Sequence, residues 1–71
     1  IMVLSEVRNN GIYHVRQLHD GAGGIHRHLE NLGFVPGEQI VVVSRIGGNL
    51  IVNVKGSRVA LSSELAKHIT V

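Results

Sequence analysis

The chain predicts a small, mainly β domain: a barrel of about five short strands, with one inserted helix and a short helical turn near the C-terminus. Three observations carry this. β-Branched residues crowd the second half, in Ile40–Val43, Leu50–Val54 and Arg58–Leu61, where they suit a pleated, half-buried surface. Turn signals separate those segments: Pro36-Gly37, Gly47-Gly48-Asn49 and Lys55-Gly56. A single earlier stretch places Ile25, Leu29 and Leu32 at i, i+4 and i+7, one face of a helix. Closing a small sheet on itself removes its exposed edges, which favours a barrel.

Taken in order, Met2–Val7 is an apolar opening, and Asn9-Asn10-Gly11 marks a turn. Gly11–Leu18 reads as a strand. Its apolar residues Ile12, Tyr13, Val15 and Leu18 do not alternate cleanly, so a bulge or bend is expected. Asp20–Gly24 breaks the pattern before a helix of about ten residues, which Gly33 stops. A helix that short persists only by packing its apolar stripe on the rest of the domain. Strands follow at Glu38–Ile46, Leu50–Lys55 and Arg58–Leu61. Ser62 or Ser63 caps a turn through Glu64–Lys67, and His68–Val71 closes as the last strand. No repeat or linker interrupts the chain, so residues 1–71 form one domain.

Composition narrows the function. The 71 residues include no Cys, which excludes a disulfide scaffold, thiolate metal sites and a cysteine nucleophile. A stapled secreted domain is disfavoured, and a cytoplasmic location is expected. The longest uninterrupted apolar runs, such as Ile40–Val43, have four residues, against about 20 for a membrane span. No basic segment followed by an apolar one opens the chain, so no secretory signal is read and no membrane insertion is expected. Net charge is +2, with the seven Lys and Arg scattered singly, and Tyr13 and Phe34 are the only aromatics. Nucleic-acid binding would want clustered cations or stacking rings.

Five His residues invite a chemical reading: His14, His19, His26, His28 and His68. His26 and His28 point about 200° apart on a helix and cannot share one ion. His26 and Glu30, at i, i+4, could donate two ligands to a metal, but no third is identifiable. The alternative is a solvated face on which Glu30 pairs with Arg27 or a His. His28 is expected at a half-buried edge of the stripe, and His14 as an outward strand residue. The Gly-rich loop before the helix lacks a Gly-Lys-Ser/Thr ending and reads as a flexible turn, not a phosphate cradle. No nucleophile–base constellation emerges, so no enzyme activity is expected.

Leu4-Ser5-Glu6-Val7, then Leu29-x-x-Leu32-Gly33-Phe34-x-Pro36-Gly37, Ile40-x-Val42, Val59-Ala60-Leu61 and Ala66-x-x-Ile69-x-Val71 follow one another along nearly the whole chain. In order and spacing they resemble the ferrous iron transport protein A family, the FeoA domain. The resemblance implies an SH3-like barrel with an inserted helix. It also implies a cytosolic accessory role in bacterial ferrous iron uptake, by contact with the GTP-binding transporter, ferrous iron transport protein B. On that reading the partner face is the helix and its flanking loop. There His26, Arg27 and Glu30 surround Leu29, itself either core or partly shared with the partner. No tightly bound cofactor is expected; ferrous or another transition ion would be held only weakly. The family commonly carries a longer, Pro-containing hairpin where this chain has Gly47-Gly48-Asn49. The resemblance also covers the C-terminal regulatory domains of iron- or manganese-dependent repressors. Recognition of Pro-rich segments is disfavoured, because such grooves need aromatic walls. Open sheet edges can pair into a weak homo-oligomer, with Ile40–Val43 the segment placed in such an interface.

Overall fold

The computed structural model describes residues 2–8, 10–19 and 24–71. A 3₁₀ turn (Leu4–Glu6) leads into β1 (Gly11–His14) and β2 (Gln17–Leu18). Helix α1 (Ile25–Asn31) follows, then β3 (Gln39–Ile46), β4 (Asn49–Val54), β5 (Ser57–Ser62), α2 (Ser63–Ala66) and β6 (Ile69–Thr70). The domain is mainly β, with six strands among the described residues where about five were expected. The Asp20–Gly23 part of the Gly-rich loop lies outside the described residues.

The strands form two antiparallel sheets, one in the order β1-β3-β4-β5 and one pairing β2 with β6. The single strand expected over Gly11–Leu18 is therefore two. Its failure to alternate reflects a change of sheet: Val15 donates to Glu38, at the entry to β3 of the first sheet, while Arg16 donates to Thr70 of the second. Hydrogen bonds do not close the sheet into a barrel, and β1 and β5 remain its edges. β3 is flanked on both sides, so Ile40–Val43 cannot pair with another molecule's strand. Ile40 and Val42 lie in the core instead.

Alternation builds that core. Ile40, Val42, Leu50, Val52, Val54 and Leu61 are buried on one face of the large sheet. Val7, Val15, Leu18, Ala66 and Ile69 join them from the loops, the second sheet and α2. Residues Val35-Pro36-Gly37-Glu38 make the expected tight turn. Glu38 N–H donates to Val35 C=O at 2.9 Å, and Gly37 sits at φ +91°. Pro at the second and a positive-φ Gly at the third position define a type II turn.

A bulge occurs in β3, where none was expected. Val42 pairs with Val52 but Ser44 with Ile51, leaving Val43 as the extra residue. One inserted residue reverses the sidedness of everything after it. Arg45 consequently stands opposite Leu50, on the core side of the sheet's end. From there its guanidinium donates to Val7 C=O and, at 3.2 Å, to Asn10 Oδ1, while Asn10 Nδ2 donates to Val43 C=O at 3.0 Å. The bulge thus pins the loop before β1 onto the large sheet.

At the C-terminal turn, Ser62 is the cap: its Oγ accepts from Leu65 N–H at 3.3 Å. Of the last four residues, Ile69 and Thr70 are the strand. Thr70 is a buried polar residue, and its hydroxyl is hydrogen-bonded to His19 Nε2.

Candidate functional site

Helix α1 is seven residues long, not ten, and its end explains the most specific motif in the sequence. Gly33 N–H donates to Glu30 C=O and Phe34 N–H to Leu29 C=O, both at 3.0 Å. Those two bonds, closed through a left-handed residue, are a Schellman cap. Gly33 holds φ +106°, and a Cβ there would meet Lys55 Cγ at 3.4 Å. The cap brings Leu29 and Phe34 into the core together, each 0% exposed. Leu-x-x-x-Gly-Phe is thus a device that stops the helix and seats it.

With Leu29 taken by the core, Ile25 and Leu32 half-buried against it, the opposite face of α1 is polar. Arg27, His28, Glu30 and Asn31 are exposed. His28 is therefore fully on the solvent face and not at a half-buried edge. His26 Nε2 lies 3.5 Å from Glu30 Oε2, with side chains 41% and 46% exposed. Glu30 pairs with His26, one of the two alternatives the spacing allowed. Leu29 takes the core alternative, so the polar residues alone can meet a partner.

The His26–Glu30 pair also bears on metal binding. Donors about 2.1 Å from one ion, at a roughly tetrahedral angle, sit about 3.5 Å apart. The separation therefore suits two ligands of a single ion. Among the described residues, however, no group of three or more His, Asp or Glu could hold a metal. Among the described residues, His26 and Glu30 are thus the two donors that this helix brings together.

A second feature was not visible in the sequence. A shallow depression is lined by Ser5, Glu6, Val7, Arg8 and Arg45, and a smaller one continues it over Gly47–Leu50 to Ser63. Its only advance signal was Arg45, a lone charge in an apolar strand. His19 and His68 flank the second sheet. His19 N–H donates to His68 C=O at 2.7 Å, and His68 Nδ1 donates back to His19 C=O at 3.2 Å. His14 is exposed, as expected of an outward strand residue. Among the described residues, no helix is long and apolar enough to cross a membrane.

This architecture, two small antiparallel sheets with an inserted and sharply capped helix, defines an SH3-like domain. A family model, the FeoA domain, matches residues 2–71, and the chain belongs to the FeoA family. It is similar over 99% of its length, at 35% identity and TM-score 0.86, to a FeoA of Stenotrophomonas maltophilia, 88% of which is covered. That protein was solved with zinc and described as a prokaryotic SH3-domain protein and a candidate ferrous iron transport activating factor. Iron(II) transport protein A from Clostridium thermocellum is 27% identical, with 97% of this chain and 43% of that one covered and TM-score 0.86. ScaR with bound cadmium is 22% identical, with 97% of this chain matching 34% of that one at TM-score 0.86, a likeness of fold alone. No curated protein sequence matches the chain.

Proposed function

We propose that this FeoA domain is a cytoplasmic accessory of bacterial ferrous iron uptake. It acts by docking the polar face of α1 on the cytosolic GTP-binding part of ferrous iron transport protein B. The single observation carrying this is the division of labour on α1. Its apolar residues are held by the core through the Gly33 cap, while His26, Arg27, His28 and Glu30 face outward on a helix whose position is fixed. A rigid polar face can form charge-assisted hydrogen bonds without first ordering its backbone, which lowers the cost of association. Family membership supplies the iron-transport context.

Titrating the ¹⁵N-labelled domain with that cytosolic GTP-binding part tests the proposal. Amide shifts should cluster within residues 24–34, and replacing Arg27 and Glu30 together by Ala should abolish them. A spectrum unmoved at high partner concentration sinks it. Ferrous ion added anaerobically is a separate arm: it should bind weakly, through His26 and Glu30 only, and His26→Ala should remove that binding.

A fold likeness to a manganese-dependent transcriptional repressor, 21% identical at TM-score 0.84, supports a second reading, a regulatory domain within a metal-dependent repressor. Two outcomes would shift the choice to it: no contact with the transporter domain, and a helix-turn-helix encoded upstream in the same gene.

A further inference from the structure

We infer that the domain self-associates by pairing its free edge strand, β5, antiparallel with β5 of a second copy about a two-fold axis at Ala60. The inference starts from the turn that precedes β5. Lys55 and Gly56 both have positive φ, +49° and +76°, between the paired residues Val54 and Ser57. The pair closing such a two-residue turn exchanges both ladder hydrogen bonds, and bonded and non-bonded pairs then alternate. Ser57, Val59 and Leu61 therefore direct their main-chain groups at β4. Arg58, Ala60 and Ser62 direct theirs away from it.

Nothing in the described main chain covers that edge. β5 ends its sheet, and the N–H groups of Arg58, Ala60 and Ser62 take no part in the turn and loop hydrogen bonds. Natural edges are normally blunted by Pro, a bulge or an inward charge. β5 has no Pro, and its register with β4 runs unbroken over six residue pairs. Its one charge, Arg58, is held back over its own sheet, where Nε donates to Asn53 Oδ1 at 3.2 Å.

The segment itself names the occupant. Arg58-Val59-Ala60-Leu61-Ser62 reads polar, apolar, small, apolar, polar, the same in either direction. An isologous contact requires such self-complementarity. With Ala60 on the axis, Arg58 faces the partner's Ser62 and the half-buried Val59 lies beside the partner's Leu61. The two guanidiniums then stay four residues apart, and the smallest of the three outward-facing residues meets its own copy on the axis, where no charged or bulky side chain faces its like. Only this centre brings all three outward-facing residues of each strand opposite one another. A strand from an unrelated protein would need no such symmetry.

Sedimentation of the intact chain at concentrations up to about 1 mM tests it. The mass should rise from 7.7 kDa toward twice that value, with the Arg58, Ala60 and Ser62 amides gaining protection from exchange in step. Ala60→Arg sets two like charges across the axis from an already exposed position and should weaken association at least tenfold. Ala60→Pro removes only an outward N–H, a substitution edge strands tolerate, and should do the same. A monomer throughout the concentration range overturns the inference. So does a dimer that both variants leave intact.

Discussion

At the residue scale, Leu29 and Gly33 separate what holds the domain from what it shows. Leu29 is sealed in the core one position from the exposed Glu30, so truncating it removes packing and leaves the polar face untouched. Leu29→Ala should cost about 2–5 kcal/mol, read as a lower urea midpoint at unchanged slope. His26→Ala should stay within about 0.5 kcal/mol of wild type, because its exposed pair with Glu30 is screened by water. Gly33→Ala carries both a left-handed backbone and a Cβ pressed against the Lys55 stem. It should destabilise by about 1–3 kcal/mol. A Gly33→Ala protein melting like wild type would mean that the cap does not hold the helix. The motif around Gly33 was legible in the sequence as a helix stop. Its further job, seating Phe34 beside Leu29, was not, because a hydrogen bond from Phe34 back to Leu29 leaves no periodicity to read.

Among the elements, the turns and the meander could be read locally, the helix was read locally but about three residues too long, and what depended on pairing was missed. The Pro36-Gly37 and Lys55-Gly56 turns and the β3–β4–β5 meander follow from residues adjacent in sequence, and all are present. The division of Gly11–Leu18 between two sheets is decided by Glu38 and Thr70, far along the chain. The β3 bulge was equally hidden, since Val41-Val42-Val43 offers no alternation to interrupt. Its consequence is checkable. Arg45→Met keeps the aliphatic stem but strips the donors from Val7 C=O and Asn10 Oδ1. A loss of about 1 kcal/mol is expected, with faster amide exchange confined to the loop before β1. Ser62 poses the simpler case of one side chain starting one helical turn. Ser62→Ala should cost about 1 kcal/mol and Ser62→Gly only a few tenths, measured by thermal unfolding. Equal losses for the two would show that the Oγ bond to Leu65 is not what starts α2.

For the whole molecule, the incomplete closure of the sheet decides how it comes apart. The meander is made of two hairpins with short loops, so its contacts are local, and its strands of eight, six and six residues are paired along most of their length. The second sheet is two residue pairs long and joins positions some fifty residues apart in the chain; among the described residues it is extended by the bridge from Val3 to Thr70, by single main-chain bonds at Arg16, His19 and Val71, and by the side-chain bonds of His19 and His68. Opening it exposes Leu18 and Ile69 but leaves the β3–β4 core face intact. Such a unit should unfold below the global free energy, as segments with few buried contacts generally do. Native-state hydrogen exchange across a urea series resolves the two levels. Amides of Val52 and Val54 should exchange only through global unfolding, with the full urea dependence. Those of Arg16, His19 and Val71 should exchange through an opening at least about 1 kcal/mol easier and with a smaller dependence on urea. Because the α1 cap is made wholly of local bonds and seats its side chains in the core, Phe34 N–H should follow the first group. Were Phe34 to exchange with Arg16 and His19, the helix would open together with the second sheet, and the fixed polar face on which the proposed docking rests would be lost.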